Sequence, residues 1–155
     1  MIASRKIEDL HPEVAKRATA FKADCASEGI DILIISTRRD NESQNALFAQ
    51  GRTTPGKIVT NAKGGQSFHN YDVAFDVVPL RNGKPVWGTK GNGIDNDPTD
   101  DDKDDLELWQ RVGAIGKKHG LEWAGDWKTF KEFPHFQYTG GLTLKDFQAG
   151  KTLPV

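Results

Sequence analysis

The chain has 155 residues, 36% of them hydrophobic and 28% charged. That is the length of one domain, able to bury roughly 68–70% of the surface of its unfolded form and too apolar to stay disordered. Its 21 Lys and Arg stand against 22 Asp and Glu, for a formal net charge of -1, without the basic excess expected of a protein that grips a nucleic-acid backbone. One cysteine, Cys25, excludes an intramolecular disulfide, and no stretch has the length of a membrane span. No apolar run of signal-peptide type opens the chain, so synthesis in the cytoplasm without a leader is expected.

The first predicted element is a helix. Val14, Ala18, Phe21 and Cys25 share one face, Pro12 suits the first turn and Gly29 the stop. Cys25 on that face reads as inert packing. Ile30 to Ile35 predicts a buried strand. A short helix from about Asn41 to Gln50 follows, with Asp40 or Asn41 as cap and Gly51 as exit. Residues 51–67 read as a long loop, a length that is usually functional or mobile. Its Arg52, Lys57 and Lys63 suit either an anionic polymer or a solubilising surface. Val73 to Val78 predicts a strand, and Asn82-Gly83 a hairpin turn. A third helix runs from about Asp105 to His119, with Leu106, Trp109, Val112 and Ile115 inward and Gly120 as the stop. The last strand covers His135 to Tyr138. Helices and strands mix without βαβ alternation, which predicts an α+β fold with a mostly antiparallel sheet.

Four histidines are present, and two have structural explanations. His11 opens the first helix, and His119 ends the third, where the helix dipole favours a cation. His69 lies in a turn before the apolar strand that contains Asp76, flanked by Phe75 and Val77. A carboxylate in such a run is costly without a partner. His135 follows Glu132-Phe133-Pro134 in an aromatic strand. Two imidazoles and one carboxylate, with a fourth position for water, make a catalytic zinc site. Glu132 is the nearest general base. On a flat strand it would face away from His135, but Pro134 permits a bend. The spacing equally suits two buried hydrogen-bonding histidines.

The ordered set Ser36-Thr37-Arg38-Arg39, Gln44 and Leu47, Gln50-Gly51-Arg52-Thr53, Ser67-x-His69-x6-Asp76, Trp123-Ala124-Gly125-Asp126-Trp127 and Glu132-x-Pro134-His135 resembles a known family. It is similar to the zinc peptidases that include D-Ala-D-Ala carboxypeptidases and dipeptidases of VanY type, and among them to phage endolysins that are L-alanyl-D-glutamate peptidases. The resemblance runs from about Ile30 to Tyr138 and implies an α+β fold of hedgehog/DD-peptidase type, a small mostly antiparallel sheet flanked by helices. It implies one zinc ion on His69, Asp76 and His135, with Glu132 as acid and base. Arg39 would hold substrate and oxyanion, with Ser67 and Gln44 as further substrate-binding positions. The implied substrate is the stem peptide of bacterial peptidoglycan, cut at the L-alanyl-D-glutamate bond. A single monomeric domain over 1–155 is expected, without a separate wall-binding domain and with no nucleic-acid or membrane partner. Release from the host cytoplasm would be through a holin-type pore. The alternatives are a D-Ala-D-Ala carboxypeptidase on the same scaffold and a non-catalytic wall-binding module.

Two positions depart from the family pattern. Asp72 stands where the family usually has glycine, three residues after the first ligand, and Arg38 stands where it often has tyrosine. Asp72 must tolerate a left-handed backbone there, and it adds a carboxylate able to compete for the metal. Residues 95–107 hold eight acids opposed only by Lys103. Calcium prefers clustered carboxylates, but the run fits the EF-hand pattern poorly, and a solvated acidic loop capping the third helix is the favoured reading. Trp123, Trp127, Phe130, Phe133 and Phe136 could stack on a sugar or line a peptide cleft, but most of them read as core.

Overall fold

The computed structural model describes residues 1–87, 102–128 and 131–154, with the side chains of the third helix from 105 onward. Helix α1 spans Pro12–Ser27, with Pro12 in its first turn and the His11 ring accepting the Glu13 N–H. Val14, Ala18, Phe21 and Cys25 are all fully buried, as their spacing predicts. This face packs on strand β1 and on helix α3.

Strand β1 is Asp31–Ser36 and β2 is Ala74–Arg81. Helix α2 between them is Asn41–Ala49, capped by Asp40, whose carboxylate accepts the Ser43 N–H. The hairpin from β2 to β3 (Lys84–Pro85) turns at Asn82 and Gly83, both with positive φ. That is the backbone which a two-residue turn between twisted strands requires. Helix α3 spans Asp102–Lys118, β4 is Glu122–Trp123, β5 is His135–Gln137 and α4 is Leu144–Gln148. The sheet runs β1-β2-β5-β4, with β3 on β2, and every pairing is antiparallel. The fold is thus α+β, with a small antiparallel sheet flanked by helices.

Three expectations need correction. The Ile30 to Ile35 run is not buried on both faces: Ile32 and Ile34 face the core, but Leu33 is 43% exposed. β1 is an edge strand covered by α1 on one side, so it alternates. Asp105 is not part of a solvated acidic run. It is 3% exposed and accepts a hydrogen bond from Arg81 Nη1 at 2.6 Å. The rest of the calcium and loop question rests on residues 88–101 and the side chains of 102–104, which lie outside the described residues, as does Phe130. Beyond Tyr138, where no element was expected, α4 and the tail deliver Phe147 and Leu153 to the core.

The aromatic stretch splits. Phe136 is fully buried, its ring 4.8 Å from Phe21 and 5.9 Å from Phe75. Trp123 is core beside it, while Trp127 lies half-buried with its ring 5.5 Å from His135.

Candidate active site

The central strand β2 sets the geometry. Its Asp76 lies opposite His135 of β5 on one side and opposite Ser36 of β1 on the other. The β1 register slips between Ile34 and Ser36. Such a bulge re-aims the side chain that follows it. Ser36 thereby faces Asp76 across the ladder.

His69 arrives from a 3-10 turn, Phe68–Tyr71. Ser67 caps that turn: its hydroxyl accepts the His69 N–H, and Asn70 Oδ1 accepts the Ser67 N–H in return. Asn70 also donates to the Arg39 carbonyl, which ties the turn to the end of β1. The result is convergence. His69 Nε2 lies 3.2 Å and His135 Nδ1 3.3 Å from Asp76 Oδ1. One ligand atom from each of the three residues falls within 4.8 Å of the others.

The donor set suits a metal ion, and so does what surrounds it. His69 Nδ1 donates to the Thr37 carbonyl at 2.8 Å, so its Nε2 faces the cluster. His135 Nε2 contacts Gln137 Oε1 at 2.8 Å, so its Nδ1 faces the cluster. The second Asp76 oxygen accepts from Arg39 Nη2 at 3.3 Å. Each ligand is oriented through the atom it does not offer, as metal-binding histidines and carboxylates generally are. Burial pushes the Asp76 carboxyl up, but the charge of His69 and hydrogen bonds from both imidazoles outweigh it and hold the group well below the usual carboxylate range. Burial pushes His135 down, and the hydrogen bond and charge of Asp76, with Gln137 and Glu132, more than reverse that and raise it.

Glu132 does not sit on a flat strand. β5 begins only at His135, and residues 132–135 form a turn in which the His135 N–H donates to the Glu132 carbonyl. The turn carries the Glu132 carboxylate to the His135 side, 3.9 Å from Nδ1, and leaves it 47% exposed. Arg39 donates to Ser36 from Nε and Nη2, to Gln44 from Nη1 and to Asp76 from Nη2. Four of its five N–H groups are thus engaged, leaving one at Nη1 for a ligand. Burial lowers its pKa, against the charges of Asp76 and Glu132.

Gln44 is fully buried and lies behind the site. Its amide accepts from Arg39 and donates to the Ala62 carbonyl, so it sets Arg39 against loop 51–67 and does not line the cleft. Arg52 is likewise structural: its guanidinium lies over the Phe48 ring and donates to the Phe48 and Thr60 carbonyls. Asp72 takes the left-handed backbone, at φ 62°, that the glycine position demands. Its carboxylate is held by Arg38 and does not join the cluster of His69, Asp76 and His135. Thus the two departures from the family pattern are partners.

The cluster lies in an open cleft of about 990 Å³, whose walls include Ile58, Val59, Trp87, Trp127 and Lys131. Trp127 is thus one of the aromatics that line the cleft, while Ile58, Val59 and Trp87 are not legible as cleft residues from the sequence, because loop 51–67 and the hairpin meet only in three dimensions. Gln137 was also missed, although the period of two along β5 places it on the His135 face.

A family model described as D-alanyl-D-alanine carboxypeptidase matches residues 60–138. The peptidoglycan L-alanyl-D-glutamate endopeptidase CwlK of Bacillus subtilis (strain 168) is 42% identical over 130 residues, 83% of this chain and 73% of that protein. The L-alanyl-D-glutamate peptidase of Listeria phage A118 is 29% identical over 113 residues, 72% of this chain but only 32% of that protein. The crystal structure of Serratia marcescens L-Ala D-Glu endopeptidase ChiX shares the fold with a TM-score of 0.59 at 18% identity, covering 92% of this chain and 86% of that one. The fold is therefore of the DD-peptidase type, and the chain belongs to the peptidase family described as D-alanyl-D-alanine carboxypeptidase.

Proposed function

We propose that the chain is a zinc-dependent peptidoglycan hydrolase that cleaves the L-alanyl-D-glutamate bond of the stem peptide. The observation that carries this reading is the convergence of His69, Asp76 and His135 on one point at the cleft, with the Glu132 carboxylate beside it. The choice of bond is supported by the activity named for the Bacillus relative, at 42% identity. A monomer made in a bacterial cytoplasm and released through a holin-type pore belongs to the same proposal; one of the relatives is a phage protein.

His69, Asp76 and His135 would hold the ion. When bound, zinc supplies Lewis acidity, which polarises a carbonyl and makes water acidic near neutral pH. Glu132 takes the proton of the attacking water and returns it to the leaving amine, one group acting as base and then acid. Its exposure to the cleft and its place beside His135 suit that traffic. The remaining Arg39 N–H meets the oxygen on which negative charge grows, fixed in advance by Ser36, Gln44 and Asp76. Ser67 positions His69 through its backbone.

The second reading, a D-Ala-D-Ala carboxypeptidase, is favoured by the description of the matching family model. Mass spectrometry of digested peptidoglycan separates the two. New L-alanine C-termini paired with D-glutamate N-termini support the endopeptidase, and free D-alanine supports the carboxypeptidase. Walls that are bound but uncut, by protein that takes up no zinc, would leave a wall-binding module.

A further inference from the structure

Beyond the ligand cluster, a hydrogen-bonded line leads from His135 to the surface of the sheet. His135 Nε2 meets Gln137 Oε1 at 2.8 Å, and Gln137 Nε2 meets Glu122 Oε2 at 3.2 Å. Gln137 is buried, while Glu122 is exposed on β4, directly opposite Gln137 in the antiparallel register. A primary amide is ambivalent: turned one way it offers His135 an acceptor, turned the other way a donor. Only the first keeps a hydrogen on Nε2 and leaves the Nδ1 lone pair to face Asp76 and the cluster. Gln137 alone does not choose between the two.

We infer that Glu122 is a positioning residue for the metal site, which orients the Gln137 amide and thereby selects the nitrogen that His135 offers. An ionised carboxylate can only accept. It therefore draws the Gln137 NH2 group, and the Gln137 carbonyl is left for the His135 Nε2–H. His69 needs no such device, since a backbone carbonyl, that of Thr37, fixes its ring. The two ligand rings present opposite nitrogens, Nε2 and Nδ1, and a main-chain group sets one while a side-chain relay sets the other. The inference rests on the metal reading of the cluster, and it concerns a residue that touches neither metal nor substrate.

The test is a charge reversal at the outer end of the relay. In Glu122→Lys, the ammonium can only donate, so the Gln137 carbonyl turns toward it and the NH2 group faces His135. Zinc affinity, measured by chelator competition, is expected to fall about tenfold, the low end of the loss seen on removing outer partners of metal ligands. The His135 Nε2–H signal in imidazole-labelled NMR spectra of zinc-loaded protein should lose its hydrogen-bonded shift. Adding Gln137→Glu to Glu122→Lys provides a group that accepts from both neighbours and should restore both readouts. Glu122→Lys with wild-type affinity and an unchanged signal would overturn the inference. So would a loss that the second substitution fails to restore. Wild-type protein that takes up no zinc would instead overturn the metal reading itself.

Discussion

The Arg38 guanidinium grips the Asp72 carboxylate through two hydrogen bonds, Nε to Oδ1 at 2.9 Å and Nη2 to Oδ2 at 3.1 Å. The pair joins the exit of β1, next to Arg39, to the residue that ends the His69 turn. It also turns away from the ligands a carboxylate that could have competed with Asp76. Asp72→Gly and Asp72→Ala should therefore both retain full zinc content. They should differ in stability, because an L-residue at φ 62° carries a left-handed strain of about 1–2 kcal/mol that glycine does not. The lost ion pair is common to both variants and, being partly exposed, contributes at most about 1 kcal/mol. Thermal unfolding should place the glycine variant above the alanine variant. Loss of zinc in either would make Asp72 a ligand after all.

Glu132→Gln separates binding from turnover. The amide keeps the size of the carboxylate but cannot take a proton, so peptidoglycan hydrolysis should fall about 10²–10⁴-fold. The three ligand atoms are untouched, and zinc content should stay at the wild-type level. Asp76→Asn should do the reverse and lose the metal. Turnover assays with metal analysis on both variants check the assignment. A Glu132→Gln enzyme of normal rate would move the base elsewhere.

What the sequence discloses follows the range of the forces involved. α1 is legible because its apolar face repeats within the element itself. Asp76 is legible because a carboxylate amid Phe75, Val77 and Val78 demands a partner wherever the chain goes. β3 and β4, two residues each, carry no period at all. Asp105 reads as solvated from the sequence because its ion pair is with Arg81, 24 positions away, and Arg38 and Asp72 read as two separate oddities for the same reason. Glu132 was ambiguous because the start of β5, and with it the turn that redirects the side chain, is settled by pairing with β2 and not by local preference. The cleft walls come from segments distant in sequence, so only the coordinates join them.

The cluster makes stability depend on pH in opposite senses with and without metal. His135 is raised, so its contribution is full below the unfolded imidazole value of ~6.5 and fades as pH rises through its higher folded value. Asp76 is depressed, so its contribution is full above ~3.9 and fades as pH falls through its lower folded value. Chelator-treated protein thus keeps both contributions between ~4 and ~6.5 and loses that of His135 above. Zinc needs both ligand nitrogens free of protons. The rise in Tm on adding zinc should be small at pH ~5 and large at pH ~8, as read by scanning calorimetry at matched zinc. A rise of equal size at both would mean that zinc binds elsewhere.

Gly116 shows how a helix residue far from the chemistry reaches the site. It lies on α3 against the Phe136 ring, and a Cβ added there would come within 2.5 Å of Phe136 Cε2 and 2.9 Å of Cδ2. The ring cannot yield easily, being fully buried with Phe21 and Phe75 close by. Its own strand carries His135 on one side and Gln137 on the other, so any retreat of Phe136 displaces a ligand and its outer partner. Alanine gains up to ~1 kcal/mol of helix propensity over glycine. Overpacking of a dense core costs ~1–3 kcal/mol and should win. Gly116→Ala is expected to unfold at lower urea and to bind zinc more weakly, measured by denaturant titration and chelator competition on the same preparation. An unchanged urea midpoint would show that the α3 packing has slack, and normal zinc affinity in a destabilised variant would show that β5 holds its ligand independently of Phe136.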